Sequence, residues 1–352
     1  MTSIHIDGPA CPLPLVEQSR VQLGHGSGGK LSAALLRSHF LPPLKNPYLE
    51  QLGDGAVVPV AGAEVVLSTD TFVVHPLEFP GGNIGTLAVH GTLNDVAMMG
   101  AVPMYLTAGF VLEEGLPLDL LDRIVGAMAS AAATAGVPLV TGDTKVVERG
   151  RADGMYVNTT GLGILAGHSR PGPHQAEPGD DILVSGPIGR HGMAIMAVRE
   201  GLEFESAIVS DTANLTPLVH ALNHAAGSSI AVLRDPTRGG LASALNEIAQ
   251  ASRVGIAVEE SLLPIPGEVR AACDILGLDP CYVANEGVLI TVVRPSRREA
   301  ALAALRSHPL GREACWIGRV VPDHPGYVVM RTVVGGSRVM DLLPGDQLPR
   351  IC

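Results

Sequence analysis

Residues 84–112, IGTLAVHGTLNDVAMMGAVPMYLTAGFVL, predict the central helix and strand of an α/β domain within a chain of 352 residues. The apolar spacing predicts a helix over Ile84–Met99 and a long strand over Val102–Leu112. The flanking sequence predicts strands at Glu64–Ser68, Val137–Thr141 and Met155–Ala166, and a helix at Leu118–Ala135 after Pro117. We therefore expect residues 45–166 to form a first domain in which strands and helices alternate.

A Gly/Pro-rich segment separates this domain from a second one. Residues 167–180 hold three prolines and three glycines, which is typical of a linker. Residues 178–322 are predicted to form a second α/β domain, with strands at 181–185, 229–234, 254–258, 288–293 and 315–321 and helices at 191–200, 212–225, 239–251 and 267–276. We expect residues 1–44 to form an N-terminal arm and residues 335–352 to form a mobile tail.

Composition narrows the class of function. The net charge of −11 and the aromatic content of 3% argue against nucleic acid as a partner. The longest uncharged stretch, Ile124–Gly142, is interrupted by Gly136 and Pro138 and does not predict a membrane span. Five cysteines without a C-x-x-C pair fit a reducing compartment, and the N-terminus does not resemble a signal peptide, so we expect a cytoplasmic protein.

The glycine-rich loop Gly24–Gly29 matches G-x-G-x-x-G and nearly matches a P-loop, but both matches lack their context. A P-loop needs a hydroxyl residue after its lysine, and Leu31 follows Lys30. Both motifs also need a buried strand upstream, which the polar arm does not supply. The loop still offers backbone amides to a phosphate, or it serves only as a flexible lead-in to a helix.

Four aspartates lie beside small residues or after predicted strands: Asp54, Asp70, Asp95 and Asp143. Together they predict a site for a hard cation such as Mg²⁺, which binds carboxylate oxygens and bridges them to nucleotide phosphates. Each one taken alone is better explained as a turn or cap residue, and the joint pattern is more specific than any member.

Two further charged residues, Lys145 and Glu286, each allow a functional and a purely structural interpretation. Lys145 is one of only three lysines and follows Asp143 by two positions, where it can neutralise a phosphate or form a simple surface ion pair. Glu286 lies directly before the apolar strand Val288–Val293. It acts as a general base if it is desolvated, and is a turn residue if it is exposed.

The segment Arg234–Gly240 connects a strand to a helix, and its glycine pair suits a close backbone approach by a ligand. Cys352 is the last residue of the chain. A thiol on a flexible tail can reach several surfaces, whereas the alternative is a fortuitous exposed cysteine.

Taken together, these segments resemble the HypE family of hydrogenase maturation proteins over nearly the whole chain. The wider superfamily includes aminoimidazole ribonucleotide synthetase, selenophosphate synthetase and thiamine-monophosphate kinase. The segments that carry the resemblance are His25–Gly29, Ser68–Val74, Phe79–Gly85, Gly91–Gly100, Gly142–Val147, Arg234–Gly240, Asn285–Gly287 and the terminal Pro349–Cys352.

The resemblance implies a two-domain α/β (α+β) fold of the aminoimidazole ribonucleotide synthetase type. The first domains of two chains would pair into a shared β-barrel, with ATP in a nearby cleft. Residues implied to bind ATP are Gly28, Gly29, Asp70, Asn94, Gly142, Asp235 and Arg238. Residues implied to bind Mg²⁺ are Asp54, Asp95 and Asp143.

The resemblance also implies a reaction. The carbamoyltransferase HypF would load a carboxamide onto Cys352, and ATP-dependent dehydration would convert it to a thiocyanate. Glu286 would act as the base, Lys145 would orient the reacting group, and the cyanide would pass to iron on a HypC–HypD complex. The alternatives are a small-molecule kinase or synthetase of the same superfamily and a non-catalytic thiol carrier.

Overall fold

The computed structural model describes residues 21–26, 29–165, 170–202, 208–343, 345, 348 and 350–352. These residues form two α/β domains, each built around one large sheet, so the predicted fold class is confirmed. Gly28, Cys11 and the rest of residues 1–20 of the predicted arm lie outside the described residues. None of the described helices is both long enough and apolar enough to cross a membrane.

The first domain is a five-stranded sheet with the order β1-β2-β7-β5-β6, in which only β5 and β6 run parallel. Its inner face packs against α3, which is buried along most of its length. Its elements are α1 Lys30–Leu35, α2 Leu41–Leu44, β1 Ala56–Val60, β2 Ala63–Phe72, β3 Glu78–Phe79, β4 Gly82–Asn83, α3 Ile84–Met98, β5 Ala101–Glu113, α4 Leu118–Ala135, β6 Leu139–Val147 and β7 Met155–Leu165.

The predicted helix at 84–99 and strand at 102–112 are confirmed within one residue. The strand predicted at 137–141 runs instead from Leu139 to Val147, because its pairing with β5 continues to Glu113. Asp143 and Lys145 therefore lie within an edge strand and not in a loop after it. Asp70 likewise lies inside β2, on the side that faces α3.

The second domain is a seven-stranded sheet with the order β14-β13-β10-β12-β8-β11-β9. Two of its strands, at 328–331 and 337–339, extend the sheet beyond residue 322, where the sequence analysis placed the end of the domain. The elements are β8 Asp181–Val184, α5 Arg190–Arg199, α6 Thr216–Ala226, β9 Ile230–Arg234, α7 Gly240–Ser252, β10 Gly255–Glu259, α8 Gly267–Leu276, β11 Ile290–Val293, α9 Arg298–Ser307, β12 Cys315–Val321, β13 Val328–Arg331 and β14 Ser337–Val339.

The two domains share buried side chains. Ala97 and Met98, at the end of α3, pack against Leu215 and Leu218 of the second domain. Asn94 of α3 is fully buried, and its side-chain oxygen accepts a hydrogen bond from the Leu215 amide at 2.8 Å. α3 therefore holds residues of both domains in fixed positions along one cleft.

Candidate active site

Three carboxylates from separate segments meet at the junction of the domains. Asp54 precedes β1, Asp95 lies on α3, and Asp235 follows β9, and one carboxylate oxygen of each lies within 4.8 Å of the others. We call these three residues the acid cluster. Such a group of oxygen donors is typical of a site for a hard divalent cation.

Burial and mutual repulsion favour the protonated forms of the acid cluster. The pKa of Asp95 is raised well above its usual value, first by burial and then by the charges of Asp70, Asp235 and Asp54. Burial followed by the charge of Asp54 raises the pKa of Asp235 to about 8. A bound cation would offset both the burial and the repulsion, because its charge favours the ionised carboxylates. The three carboxylates therefore fit a divalent metal ion.

Asp70 extends the acid cluster along β2. The Thr92 hydroxyl lies 3.5 Å from an Asp70 carboxylate oxygen, and Ser68 donates a 2.7 Å hydrogen bond to Asp95. Burial raises the pKa of Asp70, and a hydrogen bond with Asp95 and the charge of Arg238 oppose that rise. A cation bound beside these carboxyl groups would favour their ionised forms.

Two arginines of the second domain neutralise part of this negative charge. Arg234 forms an ion pair with Asp54 and another with Glu247 of α7, which ties the domains together. Arg238 donates a 3.1 Å hydrogen bond to the carbonyl of Gly26. Gly26 is therefore held against Arg238, whose charge also acts on Asp70.

Glu286 is buried, with 2% of its surface exposed, so the exposed-turn interpretation is wrong. Burial, followed by the charges of Asp235, Asp211 and Asp70, raises its pKa well above the usual value, while Arg238 lowers it. A desolvated carboxylate has the character of a general base.

Asp211 fixes the backbone around Glu286, and the sequence analysis did not single it out. Its carboxylate accepts hydrogen bonds from the amides of Glu286 and Gly287, both at 3.2 Å. A Cβ at Gly287 would lie 1.7 Å from the Asp211 carbonyl oxygen, so only glycine fits there. Asp211 lies 75 positions from Glu286, and no local pattern links the two residues.

Asp143 and Lys145 do not join the acid cluster of their own chain. Their side chains form a 2.6 Å ion pair and are 71% and 70% exposed. They line a shallow groove on the outer face of the first sheet together with Thr71, Tyr156 and Asn158. Asp143 therefore lies outside the acid cluster of its own chain, in which Asp235 is the third carboxylate, and its role in metal binding stays a prediction.

Two predicted nucleotide ligands have structural roles. The side-chain nitrogen of Asn94 donates to the carbonyls of Ala213 and Glu286, at 3.0 and 3.4 Å. A Cβ at Gly142 would lie 2.5 Å from the Ala108 carbonyl oxygen, so this glycine permits close pairing of β5 and β6. Neither residue presents a polar side-chain group to the cleft.

The end of the chain lies in the same cleft as the glycine-rich loop. Cys352, Ile351 and Arg350 line this cleft with Gly29 and Arg238. The Val73 amide donates a 3.1 Å hydrogen bond to the Cys352 carbonyl, and Ile351 is only 3% exposed. Residues 350–352, at the end of the tail that the sequence predicts to be mobile, are thus seated against the first domain in this structure.

Comparison with known proteins assigns both domains to one class. Residues 52–165 match the N-terminal domain of AIR synthase related proteins, and residues 177–331 match the C-terminal domain. The chain is therefore an AIR synthase related protein. A carbamoyl dehydratase HypE of Rhizobium leguminosarum bv. viciae is 51% identical over 337 residues, which cover 96% of each chain. This chain belongs to the HypE family.

Two solved structures agree with this family assignment. A structure of the hydrogenase maturation protein HypE in complex with ATP has a TM-score of 0.80 at 49% identity and covers 93% of this chain and 98% of that one. A structure of a HypE–HypF complex has a TM-score of 0.84 at 45% identity and covers 88% of this chain and 100% of that one. The resemblance found in the sequence motifs is confirmed.

Proposed function

We propose that this protein dehydrates an S-carboxamide on its own Cys352 to a thiocyanate at the expense of ATP. Family membership makes the chain a carbamoyl dehydratase of hydrogenase maturation. The observation that supports the self-modifying reaction is the position of Cys352, which lines one cleft with Gly29 and Arg238. A kinase acting on a free small molecule would leave that position unexplained.

The reaction balances without a further reactant. The carboxamide oxygen attacks the γ-phosphorus of ATP, ADP leaves, and one N–H proton is lost. The second N–H proton then leaves as the carbon–oxygen bond breaks, which releases phosphate and forms the carbon–nitrogen triple bond. Phosphorylation thus converts a poor leaving group into a good one, and Glu286 is the residue that we propose accepts an N–H proton.

The cleft offers suitable groups for ATP. A related HypE is known in complex with ATP, and we infer the same ligand here. Gly26, Gly29 and Arg238 line this cleft, and the Arg238 guanidinium is a suitable group for binding phosphate. Mg²⁺ held by Asp54, Asp95 and Asp235 would neutralise phosphate charge.

The outer face of the first sheet supports a homodimer. Leu162 of β7 pairs with Leu67 on one side and with Tyr105 on the other, and Ile164 pairs with Val102. Four of these apolar side chains, Leu67, Tyr105, Val102 and Ile164, are 38%, 46%, 41% and 41% exposed. We propose that a second copy covers this face, since a contiguous exposed apolar surface marks an interaction site. Asp143 and Lys145 lie at the polar end of the same face, beside the proposed interface.

The partners follow from the reaction. A related HypE forms a complex with HypF, and we propose a HypF carbamoyltransferase as the enzyme that loads Cys352. We propose a HypC–HypD iron complex as the acceptor of the cyanide and the cytoplasm as the compartment. A tail that leaves the cleft can reach both partners, because residues 345–352 form no helix or strand in the described part.

Intact mass spectrometry tests the function directly. After loading by the carbamoyltransferase, addition of ATP should reduce the mass of the protein by one water, and Cys352→Ser should acquire neither adduct. Cys315→Ser is the matched control, because Cys315 is also partly exposed but lies on β12 and does not line the cleft. An adduct on Cys352→Ser at the wild-type yield would place the chemistry on another residue.

A further inference from the structure

The last three residues pair with the segment that follows β2. The amide of His75 donates to the Arg350 carbonyl at 3.2 Å, and the amide of Val73 donates to the Cys352 carbonyl at 3.1 Å. The two segments run antiparallel and are held by these backbone bonds, although neither continues a strand. Backbone pairing of this kind holds a peptide but does not select its sequence or fix its register.

The side chain of Arg350 supplies what the backbone pairing lacks. Its guanidinium forms an ion pair with Asp153, in the loop between β6 and β7, and its Nε donates to the Val73 carbonyl at 3.1 Å. Asp153 also lies 3.3 Å from His75 Nδ1. The Arg350 side chain holds the pKa of Asp153 below its usual value, which agrees with a formed ion pair.

The backbone of Arg350 is held in an unfavourable conformation. Its φ of 55° lies in the left-handed region, which residues with a side chain seldom adopt. Such a conformation persists only where surrounding contacts enforce it. The conformation turns the chain so that the guanidinium reaches Asp153 while Ile351 enters the core.

Two side chains of α5, in the second domain, also contact the end of the chain. Arg199 of α5 donates to the carbonyls of Arg350 and His75. His191 of α5 bonds to the Ile351 carbonyl at 2.8 Å and to Ser210 at 2.8 Å. The Ile351 side chain is buried in the cluster that contains Ile195 and Ala284.

We propose that Asp153, Arg199 and His191 form a tail receptor, and that its recognition of Arg350 positions Cys352 for dehydration but plays no part in loading. Asp153 lies in a loop at the surface and is 42% exposed, so this contact is not part of a buried core. The inference rests on the proposed function, because it assigns a step of that reaction to the docked tail.

A charge exchange in the full-length chain tests the receptor. The variants are Asp153→Arg, Arg350→Asp and the double variant, and Arg151→Asp is the control for a charge change in the same loop. Each single variant should dehydrate its loaded tail at least about tenfold more slowly, since like charges then face each other. Loading by the carbamoyltransferase should proceed at the wild-type rate in every variant.

A second measurement reports docking without ATP. Iodoacetamide should alkylate Cys352 faster in both single variants, as followed on the C-terminal peptide by mass spectrometry. The double variant should recover most of the dehydration rate and the protection, which a merely structural role would not produce. Wild-type dehydration in the single variants, or no recovery in the double variant, would overturn the receptor.

Failure of the proposed function and failure of the tail receptor give different results. If the loaded wild-type chain keeps its mass when ATP is added, the proposed function is wrong, and the alkylation rates still decide whether the receptor binds the tail. If the wild-type chain dehydrates and the single variants match it, only the receptor is wrong.

Discussion

At the scale of single residues, burial distinguishes a side chain that is suited to proton transfer from one that lies in water at the surface. The sequence leaves Glu286 and Lys145 each with two interpretations, because a motif does not state how much water surrounds it. The fold buries Glu286 among Asp235, Asp211 and Asp70 and leaves Lys145 70% exposed beside Asp143. The desolvated carboxylate is prepared for proton transfer within this chain, whereas the lysine needs a further surface to become desolvated.

Replacing the proposed base, Glu286, should slow dehydration without unfolding the protein. Glu286→Gln keeps the size of the side chain and abolishes its capacity to accept a proton, so we expect dehydration to slow by about 100-fold or more. Mass spectrometry over time on the loaded variant measures this rate. Glu299→Gln, at a side chain that is 79% exposed, is the control. Normal turnover by Glu286→Gln would remove the assigned role.

His191 should make the stability of the docked tail depend on pH. Burial lowers its pKa to about 4, from 6.5 in the unfolded chain. The unfolded state therefore binds the proton more tightly, so the stability that His191 contributes is complete above pH 6.5 and is lost as pH falls toward 4. At pH 5 the loss is about 2 kcal/mol.

The comparison with His191→Gln isolates this effect. Asp95, Asp235 and Glu286 have raised pKa values and act in the opposite sense, because their stabilisation grows as pH falls. These groups are present in both proteins and cancel in the difference. Urea unfolding at pH 7.5 and pH 5 should show wild type losing stability relative to the variant. An unchanged difference would mean that His191 does not stay neutral in the folded protein.

At the scale of helices and strands, the local sequence pattern predicts the positions of most elements. The apolar spacing located α3 and β5 within a residue, and it located α8 at its observed bounds. It missed α9, although Ala301, Leu302 and Leu305 form a buried stripe there. The end of β6 was not predictable, because pairing with β5 and not local propensity carries that strand to Val147.

The start of α3 offers a test of how one element supports the site. The Asn83 side chain accepts hydrogen bonds from the amides of Gly85 and Thr86, both at 3.0 Å, and Thr86 completes a capping box. Asn83→Ala should lower the free energy of unfolding by about 1 kcal/mol, and Asn83→Ser should restore most of it. Chemical denaturation measures both. Equal stability of the alanine variant would show that the cap does not hold the helix.

At the scale of the whole molecule, the cation site is the feature that sequence spacing could not assemble. The local sequence around Asp143 resembles that of the other aspartates and predicts the same role. The fold brings Asp235 to Asp54 and Asp95 from another domain, and it leaves Asp143 on the far edge of the first sheet. Three strand spacings separate β6 from β2, roughly 14 Å. The packing of the two domains against each other determines which carboxylates come together in the cation site.

The acid cluster predicts a specific response to magnesium. Asp235→Asn removes a like charge from a buried group, so the metal-free variant should unfold at a higher temperature than wild type. Mg²⁺ with ATP should raise the unfolding temperature of wild type and have much less effect on the variant. Asp143→Asn is the matched control and should respond as wild type does. The same magnesium response in Asp235→Asn would exclude Asp235 as a ligand.

The oligomeric state is the last property that the whole fold constrains. Leu67, Val102, Tyr105 and Ile164 share the outer face of the first sheet, and each has more than a third of its surface exposed. Tyr105→Glu places a charge at the centre of this face, where burial against a second copy would carry a large desolvation cost. We expect the wild type to be a dimer and the variant to be a monomer by light scattering at micromolar concentration.

The control for this prediction is Tyr327→Glu, since Tyr327 is 43% exposed in the second domain, away from the outer face. That variant should remain dimeric. If Lys145 acts at the interface, the monomeric Tyr105→Glu variant should still be loaded on Cys352 but should dehydrate slowly, because only the partner can desolvate a lysine that its own chain leaves in water. A monomeric wild type, or full activity in a monomeric variant, would contradict the dimer and return Lys145 to the role of a surface ion pair.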